Sequence, residues 1–202
     1  MAGPVSRPNR MRQLARGTGV LPGELAQRPR RAIFAGAFNP LHDGHRQMAR
    51  LAAERLQLSV EFEISIINVD KPPLDFLEMQ RRAEQFGANE TLWFTTAPTF
   101  VEKAAIFAPA TFVVGADTIE RIAAAKYYAS EAACREAIER LASLRCQFLV
   151  FGRQVAGSYA SLSDLSLPAA LRHICREVPE AAFRADVSST ELRRAASQAD
   201  HD

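Results

Sequence analysis

The sequence predicts an α/β fold in which a parallel β-sheet of about five strands is covered by helices on both faces. From residue 31 onward, short apolar segments alternate with segments of helical periodicity. Strand followed by helix, repeated along a chain, is the pattern of right-handed crossover units, which bury a parallel sheet on both sides. The 202 residues, 48% of them apolar, are enough to build one hydrophobic core.

Each predicted element is bounded by its own local signals. The predicted strands are residues 32–36, 60–69, 92–95, 111–114 and 147–151. The predicted helices are residues 45–58, 75–86, 99–107, 117–125 and 130–144. Capping-box spacing marks two helix starts and a glycine marks a helix end: Asp75 with Glu78, Thr99 with Glu102, and Gly87.

The charge is unevenly distributed along the chain. Residues 1–31 contain seven Arg and a single acid, Glu24, and so carry +6, whereas the rest of the chain carries −4. Pro and Gly interrupt the basic segment, so we predict an irregular extension over residues 1–30 and one folded domain over 31–202. The extension has no aromatic residue to stack a base, which favours a solvated segment over a nucleic-acid-binding one.

Hydropathy and cysteine content restrict the compartment. No apolar run approaches the eighteen residues of a membrane-spanning helix, and the N-terminus lacks the apolar region of a signal peptide. The three cysteines, Cys134, Cys146 and Cys175, are widely spaced, which is typical of reduced thiols. We therefore expect a cytoplasmic protein without a membrane partner.

The turn after the first predicted strand is the most informative motif, and it reads Gly36-Ala37-Phe38-Asn39-Pro40-Leu41-His42-Asp43-Gly44-His45. Gly36 is expected to let the backbone leave the strand at φ values that other residues resist. Pro40 pushes the residue before it toward an extended conformation. Asp43 is expected to cap the following helix.

A shaped turn of this kind suits an anion. The free N–H groups of the first helical turn, near Gly44 to Arg46, lie at the positive end of the helix dipole. Since His42 and His45 are three residues apart, both rings can face one side and donate to phosphate oxygens. The motif therefore predicts a phosphate site.

Three other interpretations of this turn remain open at this point. A strand-to-helix connection with two incidental histidines has a similar sequence. Zinc binding requires further ligands, and the neighbourhood offers only Asp43. A Gly-rich dinucleotide-binding loop would require G-x-G-x-x-G spacing, which is absent.

Further candidate residues follow later strands, where ligands bind in parallel α/β sheets. Lys71 is one of only three lysines and is a candidate phosphate cation. Asp117, in Gly115-Ala116-Asp117, can cap a helix or accept ribose hydroxyls. Arg153 is either a surface charge or a ligand contact. Near the C-terminus, Ser188-Ser189-Thr190 with Arg193 suits either simple helix capping or a triphosphate.

Taken together, three of these motifs resemble the cytidylyltransferase-like nucleotidyltransferase superfamily. The glycine- and histidine-rich turn is similar to its first signature, and the segment from Ser188 to Arg193 is similar to its second. Gly115-Ala116-Asp117 resembles a turn of the nicotinate and nicotinamide mononucleotide adenylyltransferases, enzymes of NAD biosynthesis. The resemblance spans residues 32 to about 195, and it implies a Rossmann-like, doubly wound sheet.

The resemblance also implies partners and residue roles. AMP would pass from ATP to a phosphate-bearing small molecule, with Mg²⁺ bound through the ATP phosphates. The residues expected to act on the reacting phosphates are His42, His45, Lys71 and Arg193. The residues expected to hold the nucleotide are Gly36, Ala37, Phe38, Asn39, Gly44, Gly115, Asp117, Ser188, Ser189 and Thr190.

Other functions within reach of the same motifs stay open. One is an ATP-binding or ATP-hydrolysing protein that transfers nothing. The other is cytidylyl or adenylyl transfer to a different phosphate acceptor. The sequence also leaves open the identity of the acceptor and the formation of a homo-oligomer.

Overall fold

The computed structural model describes residues 12–13, 25, 27–67, 72–155, 158–184 and 198. Its strands are β1 (Arg12–Gln13), β2 (Arg31–Ala35), β3 (Val60–Ser65), β4 (Thr91–Thr95), β5 (Ala110–Gly115), β6 (Gln147–Phe151), β7 (Arg153–Val155), β8 (Ser158–Ala160) and β9 (Cys175–Val178). Its α-helices are α1 (Asp43–Leu56), α2 (Phe76–Ala83), α3 (Phe100–Phe107), α4 (Ala116–Ala123), α5 (Glu131–Ser143) and α6 (Ala169–His173). Two short 3₁₀ helices cover Ala125–Tyr127 and Leu162–Asp164.

Seven strands form one sheet in the order β1-β4-β3-β2-β5-β6-β9, and every neighbouring pair is parallel. The remaining two strands, β7 and β8, form an antiparallel hairpin. The α/β prediction is confirmed, since the five predicted strands are β2 to β6 and the five predicted helices are α1 to α5. The sheet is wider than predicted, because β1 and β9 extend its two edges.

The largest shift in a boundary occurs in β3, predicted to run from 60 to 69. It ends at Ser65 because the Ser65 hydroxyl donates to the carbonyls of Ile67 (2.6 Å) and Ala97 (2.9 Å), closing a turn. The short strands β1, β7, β8 and β9 were not predicted, since segments of two to four residues carry no usable periodicity.

Two apolar layers cover the sheet. One face carries α1 and α2 over a cluster rich in phenylalanine, including Phe34, Phe62 and Phe86. The other face carries α3, α4 and α5 over a cluster that includes Phe112 and Phe148. Within the described ranges, no helix is both long enough and apolar enough to cross a bilayer.

Capping residues fix where helices α2 and α3 begin. Asp75 Oδ1 accepts from the Glu78 backbone N–H at 2.8 Å, which satisfies one of the orphan donors of α2. Thr99 and Glu102 form a reciprocal capping box at the start of α3. Both predicted caps are confirmed.

Gly36 is required for a reason other than the predicted one. Its φ lies outside the left-handed region, whereas that of Phe38 is 45°, so the unusual backbone conformation belongs to Phe38. A Cβ on Gly36 would lie 2.8 Å from the Phe38 ring. The glycine therefore makes room for an aromatic ring to fold back beneath the strand end.

We expect Gly36→Ala to lower the free energy of unfolding by about 1–3 kcal/mol, the usual cost of overpacking a filled site. Urea denaturation of the purified chain measures it. Gly87→Ala is the matched control, because a Cβ there meets only the Glu90 carboxylate at an ordinary 3.7 Å. Equal effects of the two substitutions would contradict this account of Gly36.

Candidate functional site

The strand order reverses between β2 and β5, at the centre of the sheet. From the carboxyl end of β2 the chain enters α1 on one face, and from the carboxyl end of β5 it enters α4 on the other. Neighbouring connections that diverge in this way leave a crevice at the sheet edge, the usual ligand position in open α/β sheets. The loop from Gly36 to His42 and the turn at Gly115 border this crevice.

Side chains at the end of α2 hold the loop between β2 and α1. The Arg82 guanidinium donates to the Ala37 carbonyl at 3.0 Å. The Gln85 amide donates to the Phe38 carbonyl at 3.1 Å and accepts from the Leu41 N–H at 2.7 Å. Arg82 and Gln85 thus satisfy the loop backbone and fix its shape. No local pattern in the sequence identifies either residue as a partner of this loop.

The Phe38 ring anchors the same loop from below. It is 1% exposed and makes edge contacts with Phe34, Phe62 and Phe86 at centroid distances of 5.2, 5.4 and 5.6 Å. The His45 ring packs edge-on against it at 5.1 Å. Aromatic burial of this kind restricts the His45 ring to one orientation.

His42 and His45 are brought together as the sequence predicts. Their rings stack at a centroid distance of 3.7 Å with 26° between planes. His45 Nδ1 accepts a hydrogen bond from the His42 backbone N–H at 3.3 Å. Because Nδ1 is the acceptor, the proton of the neutral ring belongs on Nε2, which is left to donate to a ligand.

The start of α1 differs from the prediction in two details. The N-cap residue is His42, and Asp43 is an exposed residue of the first turn. The N–H groups of His45 and Arg46 both donate to the His42 carbonyl, at 2.9 and 3.2 Å. Of the N–H groups in the first turn of α1, those of Asp43 and Gly44 are therefore left without a partner among the described residues. This is one position earlier than expected.

Both histidines are held neutral. Burial, the neighbouring His42 ring and the positive Arg153 lower the pKa of His45 to about 3. Burial and Arg153 lower the pKa of His42 below its ordinary value of 6.5, and the carboxylate of Asp43 offsets this in part. His42 Nδ1 is also buried without a hydrogen-bond partner in the described part of the chain.

Asp117 and Arg153 form an ion pair near the histidines. The Arg153 guanidinium donates to Asp117 Oδ2 at 3.0 Å, while Asp117 Oδ1 is buried and has no partner among the described residues. The N-cap of α4 is Gly115, so Asp117 does not cap this helix. A Cβ on Gly115 would lie 2.6 Å from Asp117 Oδ1, so the glycine is needed for this close approach. Since the charge of Arg153 acts on both histidines, it belongs to the site.

A cavity of about 310 Å³ opens beside Gly36 on the face of the sheet covered by α3 and α4. The strand ends contribute Ala35, Glu63 and Ser65 to its lining. Aromatic side chains, those of Phe100, Tyr127 and Tyr128, form part of its wall.

An ion pair is buried in the lining of this cavity. Lys103 Nζ donates to Glu63 Oε1 at 2.8 Å and to the Ala97 carbonyl at 2.7 Å, and Thr95 Oγ1 donates to the same Glu63 oxygen. Glu63 is fully buried and Lys103 is 5% exposed. Removing one member of such a pair costs about 3–5 kcal/mol, since the other charge is left buried alone.

Sequence reasoning missed Glu63 and Lys103, although the strand pattern contained a signal. Glu61 and Glu63 alternate with apolar residues, and in a sheet covered on both faces such carboxylates are withdrawn from water, Glu63 fully and Glu61 in part. Each therefore needs a buried partner. Glu61 has Arg31 and Trp93, and Glu63 has Lys103 and Thr95.

The predicted phosphate contacts of the loop after β3 and of the C-terminal segment lie outside the described residues. They are Lys71, Ser188, Ser189, Thr190 and Arg193. Across the ranges that the structure does describe, no group of three His, Cys, Asp or Glu side chains is arranged to hold a metal.

The comparison with protein-family models agrees with this geometry. The cytidylyltransferase-like family matches residues 33–195, which include the loop after β2, the turn after β5 and the C-terminal serine-rich segment. A sequence search of curated proteins gave no match. With most of its length matched, the chain belongs to the cytidylyltransferase-like family, whose activity is nucleotidyl transfer.

Proposed function

We propose that this nucleotidyltransferase passes AMP from ATP to a mononucleotide phosphate, such as nicotinamide or nicotinate mononucleotide, and releases pyrophosphate. The observation that carries the proposal is the stacked His42–His45 pair at the first turn of α1, where the strand order reverses. Neutral N–H donors and a helix start converge there, as a triphosphate requires.

The proposed reaction is a single displacement at phosphorus and needs no covalent enzyme intermediate. An oxygen of the acceptor phosphate attacks the α-phosphorus of ATP, and the bond from that phosphorus to the oxygen bridging to the β-phosphate breaks. The departing electron pair stays on pyrophosphate. Since the acceptor phosphate is already ionised at neutral pH, no general base is needed. Positioning of the reactants and stabilisation of the developing charge account for the rate acceleration.

Each described residue of the site has its own role in this proposed reaction. His45 Nε2–H, together with the N–H groups of Asp43 and Gly44, donates to the α-phosphate as its charge develops. Arg153 supplies a permanent positive charge on the same side. The unpartnered Asp117 Oδ1 accepts from a ribose hydroxyl of the nucleotide.

Residues outside the described ranges complete the proposal by resemblance to the family. Lys71 orients the acceptor phosphate, while Ser189, Thr190 and Arg193 hold the β and γ phosphates. Ser188 begins the same segment and contributes to binding.

Among the described residues of the loop after β2, Ala37 and Asn39 contribute backbone contacts to the nucleotide.

Mg²⁺ is the proposed cofactor. The described residues form no carboxylate cage, which fits an ion held by ATP phosphate oxygens and water. When bound there, Mg²⁺ neutralises phosphate charge.

An acceptor panel tests the function directly. Purified protein is incubated with Mg-ATP or Mg-CTP and a set of phosphate acceptors, and pyrophosphate and orthophosphate are measured separately. Pyrophosphate that depends on ATP and one mononucleotide supports the proposal. Orthophosphate alone would indicate a hydrolase, and dependence on CTP or on another acceptor class would reassign the transfer.

His45 is expected to act on the transition state more than on ATP binding. We expect His45→Asn to lower kcat by about 10²–10³-fold, the usual effect of losing one such donor, with the KM for ATP changed by about threefold or less. Asn retains an acceptor for the His42 N–H but lacks Nε2. Because Gln can place its amide near the Nε2 position, His45→Gln is expected to recover part of kcat.

Steady-state kinetics with the best acceptor make the measurement. His173→Asn is the matched control, since His173 is exposed at the end of α6. Comparable losses in kcat and in ATP affinity for His45→Asn would mean that His45 only binds substrate.

Nucleotide binding should take up protons. The pKa of His42 is lowered and that of His45 is about 3 in the free protein, and a bound polyanion raises both. Affinity for ATP therefore rises as pH falls through the bound-state pKa values, and it levels off below the free-state values. Titration calorimetry in two buffers of different ionisation enthalpy measures the uptake.

The same titration with a His42→Asn, His45→Asn double variant isolates the contribution of the histidines from that of ATP itself. We expect the variant to take up fewer protons at about pH 6. Equal uptake in the two proteins would mean that the bound polyanion does not change the protonation of these rings.

A further inference from the structure

We propose that the cavity beside Gly36 selects an acceptor whose head group places an N–H or O–H donor next to an oxygen acceptor, and that it rejects a head group with a carboxylate there. The reaction of that acceptor rests on the proposed function, whereas the binding preference stands on the cavity alone.

Glu63 supplies an acceptor for a ligand. Both of its protein contacts, from Lys103 and Thr95, go to Oε1. The other oxygen, Oε2, is buried and has no hydrogen-bond partner within the described ranges. A fully buried carboxylate oxygen without a donor is costly, and a ligand donor in the cavity that Glu63 lines would satisfy it.

Lys103 supplies the matching donor. Its ammonium has three N–H bonds, and within the described structure two of them go to Glu63 Oε1 and the Ala97 carbonyl. Since Lys103 also lines the cavity, its third N–H is left for an acceptor atom of the ligand. The pair therefore offers one acceptor and one donor close together.

The charge balance of the cavity disfavours an acid. Glu63 and Lys103 already neutralise each other, so a ligand carboxylate near Oε2 would add an unpaired negative charge to a buried site. The third charged lining residue, Arg121, is exposed and lies over the Tyr127 ring at 5.1 Å. Solvent screens its charge, which weakens its attraction for a carboxylate at Oε2.

Two head groups share the required chemistry. A primary carboxamide presents an N–H beside a C=O, and a vicinal diol presents an O–H beside a second oxygen. The wall of Phe100, Tyr127 and Tyr128 suits a planar ring that carries the carboxamide. The test therefore includes both groups.

The test compares ligands with and without a carboxylate in the head group. Nicotinamide mononucleotide and nicotinate mononucleotide differ only by amide against acid, and glycerol 3-phosphate represents the diol. Titration calorimetry measures the binding of each to the full chain with ATP absent, and pyrophosphate release measures transfer separately. We expect nicotinamide mononucleotide or glycerol 3-phosphate, which have no carboxylate, to bind about tenfold tighter than nicotinate mononucleotide.

Substitutions test whether the buried Glu63–Lys103 pair causes that preference. Glu63→Gln replaces the carboxylate oxygen with a group that no longer repels an acid, so we expect the preference to fall to about threefold or less. Glu61→Gln is the matched control, a carboxylate on the same strand and the same face that pairs with Arg31 and Trp93 outside the cavity. It should keep the wild-type preference.

The outcomes separate this inference from the proposed function. Three results would overturn it: nicotinate mononucleotide binding as well as the two ligands without a carboxylate, a preference unchanged by Glu63→Gln, or no binding of either ligand without a carboxylate. The wild-type comparison decides the inference even where Glu63→Gln does not fold. A Glu63-dependent preference without any pyrophosphate release would support the inference and overturn the function.

Discussion

The candidate site depends on the burial of one aromatic ring. Phe38 adopts a left-handed backbone conformation and turns its ring back under the end of β2, where Gly36 leaves the space. A non-glycine residue with positive φ is strained, and it persists only where its surroundings fix it. Here the phenylalanine cluster and the hydrogen bonds from Arg82 and Gln85 fix the conformation of Phe38. Because the His45 ring packs against Phe38, the positions of the two histidines are defined as well.

The electrostatics of the two sides of the crevice differ in kind. On the loop side, neutral histidines and N–H groups at a helix start lie beside the permanent charge of Arg153, an arrangement that suits the phosphates of the proposed substrate. On the cavity side, Glu63 and Lys103 cancel each other in a buried network. In our proposals, the loop side binds phosphate by charge, whereas the cavity side selects a head group by its hydrogen bonds and by excluding a further negative charge.

The alternation of strands and helices was predictable because each element has its own periodicity and caps, as at Asp75 and Thr99. The pairing of His42 with His45 was predictable because it depends on a spacing of three residues. The conformation of Phe38 and the role of Arg82 were not, since both depend on contacts between segments 45 to 47 residues apart in the chain. Glu63 was predictable only in part: its burial follows from its place in a covered sheet, whereas its pairing with Lys103 does not follow from the sequence.

The two halves of the crevice also rest on opposite faces of the sheet. The histidine loop is held by α2 and the phenylalanine cluster, whereas the cavity is built from α3 and α4 over the other apolar layer. Substitutions among the cavity residues of α3 and α4 therefore leave the support of the histidine loop in place. A fold divided in this way can exchange one acceptor for another during evolution, while the apparatus for phosphate chemistry is retained unchanged.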